Sequence, residues 1–154
     1  MNRKPFLLLF AIIVLGYCSA AHAQTLDTYL SAADIEKVTG LKEVKISKNT
    51  QHGLAGTLQF KNKEGKTILS VKFNNASFYN KSEAAKVIKV QGDIKGIGED
   101  AFYGADFSDS PNYLCFKKGK YRVELAAFIS SKDVKPFLNI EQLKALAKAV
   151  ASRM

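Results

Sequence analysis

Two segments of the chain repeat apolar residues at helical spacing directly after a capping residue. In the first, Ser31 is the expected N-cap and Gly40 is the expected end of the helix. In the second, Asn139 and Gln142 form a capping pair, and apolar positions then recur every three or four residues. Both segments are therefore predicted to be amphipathic helices. The exposed face of the later helix carries two lysines, Lys144 and Lys148.

A third helix is predicted in the middle of the chain, over residues 80–92. Asn80 is a suitable N-cap, and Glu83 stands where an acidic side chain favours a helix N-terminus. Gly92 is the expected end of this helix. Three apolar side chains follow the cap at helical spacing and are expected to face inward: Ala84, Val87 and Ile88.

Between these helices apolar and polar residues alternate with a period of two, which predicts strands. A short strand is expected around Ile46, then a hairpin over 54–61 and 67–74. A strand over 101–107 and a second hairpin over 112–117 and 121–129 follow. The predicted fold class is α+β, a mainly antiparallel sheet with helices packed on it, in the order α-β-β-β-α-β-β-β-α. Each half is a helix followed by three strands, which suggests a pseudo-repeat without a shared residue pattern.

The first 23 residues have the pattern of a secretory signal peptide. Arg3 and Lys4 precede an apolar run over residues 6–15, and small residues ending in Ala21-His22-Ala23 follow. The run is shorter than the roughly twenty apolar residues that span a bilayer. We therefore expect cleavage near Ala23, a single mature α+β domain of residues 24–154 without a transmembrane segment, and a periplasmic or secreted location. Lipidation at Cys18 and an uncleaved anchor are the alternatives.

Composition and charge exclude two classes of protein. Without residues 1–23 the chain has 131 residues and one cysteine, Cys115, so it cannot be a scaffold held by intrachain disulfides. The same residues include 21 Lys and Arg against 14 Asp and Glu, a net charge of +7, and 19 of these cations are lysines. Nucleic-acid sites favour the planar fork of arginine, and therefore no nucleic-acid partner is expected. A lysine-rich surface instead favours loose attraction to anionic envelope polymers or lipid head groups.

Neither the glycine motif nor the cysteine predicts catalysis. Residues 96–101 read G-x-G-x-x-A, but a dinucleotide site needs a strand before this motif and a helix after it. Here a helix is predicted before it and a strand after it, so we expect a glycine-hinged turn. Cys115 lies in the middle of a predicted strand and His52 in a loop, so we expect a buried, inert thiol without a histidine partner.

The densest group of carboxylates also lacks a recognisable function. It consists of Glu99, Asp100, Asp106 and Asp109. Their spacing is not that of a calcium-binding loop, and the chain has no tryptophan that could stack on a sugar ring. We therefore predict no catalytic residue, no metal and no cofactor, and a protein that is not an enzyme.

The candidate binding residues lie on the second hairpin. Four cations and two aromatic side chains gather near its tip: Lys117, Lys118, Lys120, Arg122, Tyr113 and Tyr121. Such a group favours contact with an anion or an envelope polymer. Alternatively, the lysines protect an exposed edge strand from pairing with other molecules. Aromatic residues in the middle of the chain could also line an apolar pocket between helix and sheet.

Two stretches of the chain resemble small exported bacterial proteins. Residues 96–103 read GIGEDAFY and residues 114–125 read LCFKKGKYRVEL, which match a G-x-G-E/D-x-A turn, a strand and a hairpin with K-G at its tip. The opening at residues 30–40 and the C-terminal helix also fit this pattern. The resemblance implies a bacterial envelope protein, similar in outline to the PsbP/Mog1-like α/β/α sandwich, and supplies no catalytic residues.

Together these features predict a non-enzymatic exported binding domain that contacts an envelope component or an apolar small ligand. The alternative is an inhibitor or accessory subunit that docks on another exported protein. An enclosed pocket would favour a ligand, whereas a large exposed apolar patch would favour docking.

Overall fold

A seven-stranded antiparallel sheet forms the centre of the part of the chain that the structure describes. The computed structural model describes residues 26–50, 56–106, 109–129 and 135–154. The predicted signal peptide and His52 lie outside the described residues. The strands are β1 (Lys45–Thr50), β2 (Gly56–Lys61), β3 (Thr67–Asn75), β4 (Lys89–Asp93), β5 (Asp100–Ala105), β6 (Tyr113–Lys118) and β7 (Tyr121–Ala127). They pair in the order β1-β2-β3-β7-β6-β5-β4.

The helices of the described residues are α1 (Ala32–Thr39), α2 (Lys81–Ala84) and α3 (Ile140–Ser152), with short 3-10 turns at Leu26–Thr28 and Ala76–Phe78. The predicted caps of α1 and α3 are confirmed. Ser31 and Asn139 each accept a hydrogen bond from the backbone N–H three residues later, and the side chain there bonds back to the cap. Gly40 ends α1 with a φ of 75°, a conformation that glycine adopts without the strain that a Cβ brings.

The predicted middle helix is wrong over most of its length. Asn80 caps α2 as predicted, but α2 is a single turn, and residues 89–93 form β4, which pairs with β5. Ile88 is buried and Val90 half-buried, with a polar residue between them. This alternation and the β-branched side chains favour an extended chain over a helix. Val87 is 77% exposed and does not face inward as predicted.

The two halves of the sheet are not equivalent, so the predicted order of elements holds only in part. The strands β1–β3 form a three-stranded meander after α1, and β4–β7 form a four-stranded meander after α2. Ile35 of α1 packs in the same core as α3, whereas Ala84 of α2 packs against Phe102 and Cys115 on the opposite face of the sheet. The predicted pseudo-repeat therefore has no counterpart in the arrangement of these elements.

The two faces of the sheet carry cores of different size. The inner face, covered by α1 and α3, holds the larger core, which includes Phe60, Phe73, Leu114, Phe116 and Leu125. The outer face holds a small cluster of Ala84, Ile88, Phe102, Tyr113 and Cys115. Because side chains alternate along a strand, β6 contributes to both cores.

An ion pair ties the end of α3 to the start of α1. Arg153 Nη1 and Nη2 donate to the two carboxylate oxygens of Asp34 over 2.6 and 2.7 Å. Arg153 Nη1 also donates to the carbonyl oxygen of Tyr29 over 3.0 Å. The guanidinium holds the pKa of Asp34 well below its ordinary value of 3.8. The last turn of α3 is thereby fixed beside the sheet.

Candidate functional site

The hairpin of β6 and β7 lies in the middle of the sheet, with β5 on one side and β3 on the other. The idea that its lysines protect an edge strand is therefore wrong, because neither strand is an edge. A two-residue turn at Gly119 and Lys120 joins the strands, and Gly119 has a φ of 54°. The hairpin therefore carries its polar side chains to both faces of a fully paired sheet.

The structure divides five of the six predicted binding residues between two pockets. Lys118, Lys120 and Tyr121 line a pocket of about 750 Å³ near the tip of the hairpin, which we call the hairpin pocket. Tyr113 and Arg122 line a pocket of about 280 Å³ beside α2, which we call the outer pocket. The sixth residue, Lys117, forms an ion pair with Glu99 at 3.5 Å. The predicted group is thus not one site, since strand alternation sends neighbouring residues to opposite faces.

One wall of the hairpin pocket is the loop between β4 and β5. Ile97 is buried in the inner core and anchors this loop. The N–H of Glu99 donates to the carbonyl oxygen of Lys117 over 2.8 Å. Gly98 lies so close to the hairpin that an added Cβ would be 2.3 Å from the same oxygen, and its φ is 61°. Only glycine fits at position 98. The backbone of the loop is hydrogen-bonded to the backbone of the hairpin.

A second wall of the hairpin pocket is the C-terminal part of α3, which contributes Lys148, Ala151 and Ser152. The ammonium group of Lys118 donates to the carbonyl oxygen of Ala151. This contact stabilises the helix C-terminus, where the carbonyl groups lack partners within the helix and the dipole favours a cation. Lys118 is therefore engaged, and the more exposed Lys120 and Lys148 are left for a ligand.

The hairpin pocket has a cationic surface. Its acidic side chain, Glu99, accepts a hydrogen bond from the N–H of Gly119 over 2.7 Å and pairs with Lys117. These contacts lower the pKa of Glu99, the bond from Gly119 most of all. Lys120 Nζ lies 5.5 Å from the centre of the Tyr121 ring. No carboxylate of the described residues forms an ion pair with Lys120 or Lys148.

Tyr121 gives the hairpin pocket a rigid floor. Its ring packs edge-on against Tyr29, with 5.9 Å between ring centres, and against Phe73 at 6.4 Å. Burial, followed by a hydrogen bond with Tyr121, raises the pKa of Tyr29 to about 12. Tyr121 therefore faces the pocket from a fixed aromatic cluster of the inner core.

The outer pocket contains a network of half-buried charges. Tyr113 Oη donates to Glu124 Oε2 over 2.6 Å, and Arg122 Nη2 lies 3.2 Å from Glu124 Oε1. Arg122 Nη1 donates to the carbonyl oxygen of Phe78 over 2.9 Å. The side chains of Arg122 and Glu124 are only 19% and 16% exposed. Their charges are thus held by each other and not by water.

Cys115 is buried next to this network, as predicted. It is fully inaccessible to solvent, and burial raises the pKa of its thiol to about 11. A thiol needs exposure and thiolate character to react, and Cys115 has neither. The expectation of an inert thiol is therefore supported by its surroundings, while the position of His52 lies outside the described residues.

The four clustered acids are separated by the strand β5. Glu99 and Asp100 lie at its start, Asp106 lies just past its end, and Asp109 is fully exposed and pairs with Lys89 at 3.5 Å. Within the described residues, no three His, Cys, Asp or Glu side chains are placed to hold a metal ion.

The glycine motif forms a turn, as predicted, although the element before it differs from the prediction. Residues 96–101 follow the strand β4 and lead into β5. A dinucleotide site binds the pyrophosphate at the N-terminus of the helix that follows the glycines. Here a strand follows them, so this motif does not form such a site.

Sequence reasoning missed three residues of these pockets. The sequence indicates that Lys148 is an exposed lysine of a helix. Only the packing of α3 on the sheet places it next to the hairpin. Glu124 alternates with Arg122 along β7, and this spacing was a usable signal. Asp106 belongs to the carboxylate group that the sequence analysis considered, but its place in the outer pocket carries no local signal, because that pocket exists only once α2 packs over the sheet.

Comparison with known proteins gives no relative: the chain matches no family model, no curated protein and no solved structure. Among the described residues, no helix is both long and apolar enough to cross a membrane.

Proposed function

We propose that this chain is a non-enzymatic binding domain outside the cytoplasm that holds a phosphate-bearing envelope component in the hairpin pocket. The location rests on the signal-peptide pattern of residues 1–23 and on the resemblance to small exported bacterial proteins. The choice of site rests on the hairpin pocket, where three lysines meet one glutamate whose charge is already paired.

The chemistry of the hairpin pocket favours phosphate on an organic carrier. Lysine binds phosphate as a compact, rotatable point charge, and Lys120 and Lys148 reach the pocket from two different elements, the hairpin turn and α3. The volume of about 750 Å³ exceeds what an inorganic ion needs and accommodates a head group or polymer unit. Tyr121 offers an aromatic surface for the carrier. The excess of positive charge over the chain adds long-range attraction.

The decisive experiment compares two double variants with the same change in net charge. Binding is measured to phosphatidylcholine vesicles with and without phosphatidylglycerol, and to soluble glycerol phosphate. K120Q/K148Q removes both pocket cations, whereas K42Q/K63Q removes two exposed lysines elsewhere. Each lysine near an anionic surface contributes about 1 kcal/mol, so K120Q/K148Q is expected to weaken binding about thirty-fold. Protein recovered from the envelope of a host expressing the full chain is expected to have the mass of residues 24–154.

The results separate the possible sources of phosphate. Binding to the anionic vesicles alone identifies a lipid head group, and binding to glycerol phosphate identifies a soluble or polymeric phosphate. An equal loss in both double variants would overturn the proposal, because net charge and not the pocket would then control binding. If the protein bound neither the anionic vesicles nor glycerol phosphate, the proposal would also be overturned.

The docking alternative has weaker support, from two exposed apolar side chains. Phe78 and Val87 are 64% and 77% exposed, and both lie next to Arg122. Such anchors beside an arginine are typical of binding hot spots. However, Val87 lines the rim of a pocket, and a pocket favours a small ligand over the flat surface of a protein partner.

A further inference from the structure

The outer pocket has an unbalanced charge that the proposed function does not use. It is lined by Ala84, Val87, Ile88, Asp106, Tyr113, Arg122 and Glu124. The pocket lies beside α2, on the face of the sheet opposite the large core, and shares no lining residue with the hairpin pocket. We infer that it binds a small organic cation, an ammonium group on a compact apolar body.

Arg122 and Glu124 form an ion pair, although Arg122 Nε is buried without a hydrogen-bond partner among the described residues. Glu124 Oε1 faces Arg122 and Glu124 Oε2 accepts from Tyr113. The remaining donor contact of Arg122 goes to the backbone at Phe78. A ligand anion would have to displace Glu124 from Arg122, and separating two half-buried charges is expensive. The pair therefore acts as a neutral, rigid part of the wall.

Asp106 carries the charge that a ligand can neutralise. Its backbone N–H donates to Asn112 Oδ1 over 2.7 Å, which fixes the residue at the end of β5. No cation of the described residues forms an ion pair with its carboxylate. Burial alone raises its pKa, as expected for a carboxylate that is partly removed from water without a partner. An ammonium group at this carboxylate would supply the missing charge.

The apolar side of the pocket selects the body of the ligand. Ala84 and Ile88 are buried in its wall, and Val87 stands exposed at its rim. Covering Val87 with apolar ligand atoms removes that surface from water, which is favourable. A volume of about 280 Å³ corresponds to roughly nine water molecules. The space fits one substituted ring or a short branched chain, and not a polymer.

The test titrates the protein with benzylamine and with benzyl alcohol, a neutral molecule of the same shape. Chemical-shift changes of the backbone amides of Asp106, Tyr113 and Glu124, which line the outer pocket and not the hairpin pocket, report the site. Benzylamine is expected to bind the wild-type protein at least about ten-fold more tightly than benzyl alcohol, because a hydrogen bond between charged groups contributes more than a neutral one. D106N is expected to abolish this preference, and D109N, which changes a fully exposed acid three residues away, to keep it.

A second variant guards against a folding defect in D106N. V87K places a cation at the exposed rim without touching the carboxylate. Both probes lose the apolar contact with Val87, but only benzylamine is repelled by the new charge, so benzylamine is expected to weaken about ten-fold more than benzyl alcohol. Equal binding of the two probes by the wild-type protein would overturn the inference. So would an unchanged preference in both D106N and V87K, or shifts confined to the hairpin pocket. None of these results depends on whether phosphate binds in the hairpin pocket.

Discussion

The hairpin pocket and the outer pocket lie on opposite sides of the same two strands, and they treat charge in opposite ways. In the hairpin pocket, Lys120 and Lys148 are exposed and without an ion pair among the described residues. In the outer pocket, Arg122 and Glu124 are half-buried and satisfy each other. Charges in water are inexpensive to keep apart and respond to ligands, whereas half-buried charges must be paired to be tolerated. The first arrangement suits binding by attraction, and the second suits a rigid wall around Asp106, which has no ion pair within the described part of the chain.

The largest effect is expected where the backbone itself shapes the hairpin pocket. G98A would put a Cβ within 2.3 Å of the Lys117 carbonyl oxygen at a positive φ. We expect it to destabilise the protein by about 3 kcal/mol and to weaken phosphate binding while sparing the outer pocket. G96A has a similar φ but open space around it, and about 1 kcal/mol is expected. Urea unfolding measures both, and equal losses would show that the close approach does not matter.

A smaller effect on stability should distinguish the half-buried charges of the outer pocket from the exposed charges of the hairpin pocket. R122M leaves Glu124 half-buried without its cation, and a loss of about 2 kcal/mol in the free energy of unfolding is expected. K120M removes an exposed cation and should change stability by no more than about 0.5 kcal/mol. Chemical denaturation of both variants at neutral pH provides the comparison. If K120M were as destabilising as R122M, the distinction drawn between the pockets would be wrong.

The smallest effect concerns the helix wall of the hairpin pocket and depends on pH. Because the pKa of Asp34 is lowered in the folded protein, its pair with Arg153 stabilises the fold above the ordinary pKa of 3.8. This contribution is lost as the pH falls through the lowered folded-state pKa. R153M should therefore cost about 1 kcal/mol at pH 7, since the pair is partly exposed to solvent.

The pH series contains its own control. The difference in stability between the wild-type protein and R153M should narrow as the pH falls from about 4 to about 2. Lys120 pairs with no carboxylate of the described residues, so the K120M variant should keep a constant difference over the same range. A difference for R153M that stays constant in acid would mean that Asp34 does not carry the effect.

Local signals in the sequence were sufficient for the elements that local contacts define. The capping side chains of Ser31 and Asn139 lie within three residues of their partners, so α1 and α3 could be predicted. The segment of β4 gave two conflicting signals: Ala84, Val87 and Ile88 before it have helical spacing, whereas Ile88 and Val90 alternate as in a strand. Pairing with β5 decides between the two. The two pockets could be predicted only in part, because local signals place some of their residues and tertiary packing places the others. Alternation along β7 separates Tyr121 from Arg122, but packing alone brings Lys148 and Asp106 to the pockets.

The order of strands also determines where the fold is exposed to aggregation. The outer edges of the sheet are guarded, since β1 carries Lys45 and Lys48 and the pairing of β4 is irregular between Val90 and Gly92. The seam between β3 and β7 joins the two meanders through seven residue pairs. Opening this seam would expose two regular strand edges at once, which could pair with another molecule although they carry Lys72, Arg122 and Glu124. The seam that unites the two halves is thus also the place where self-association would begin.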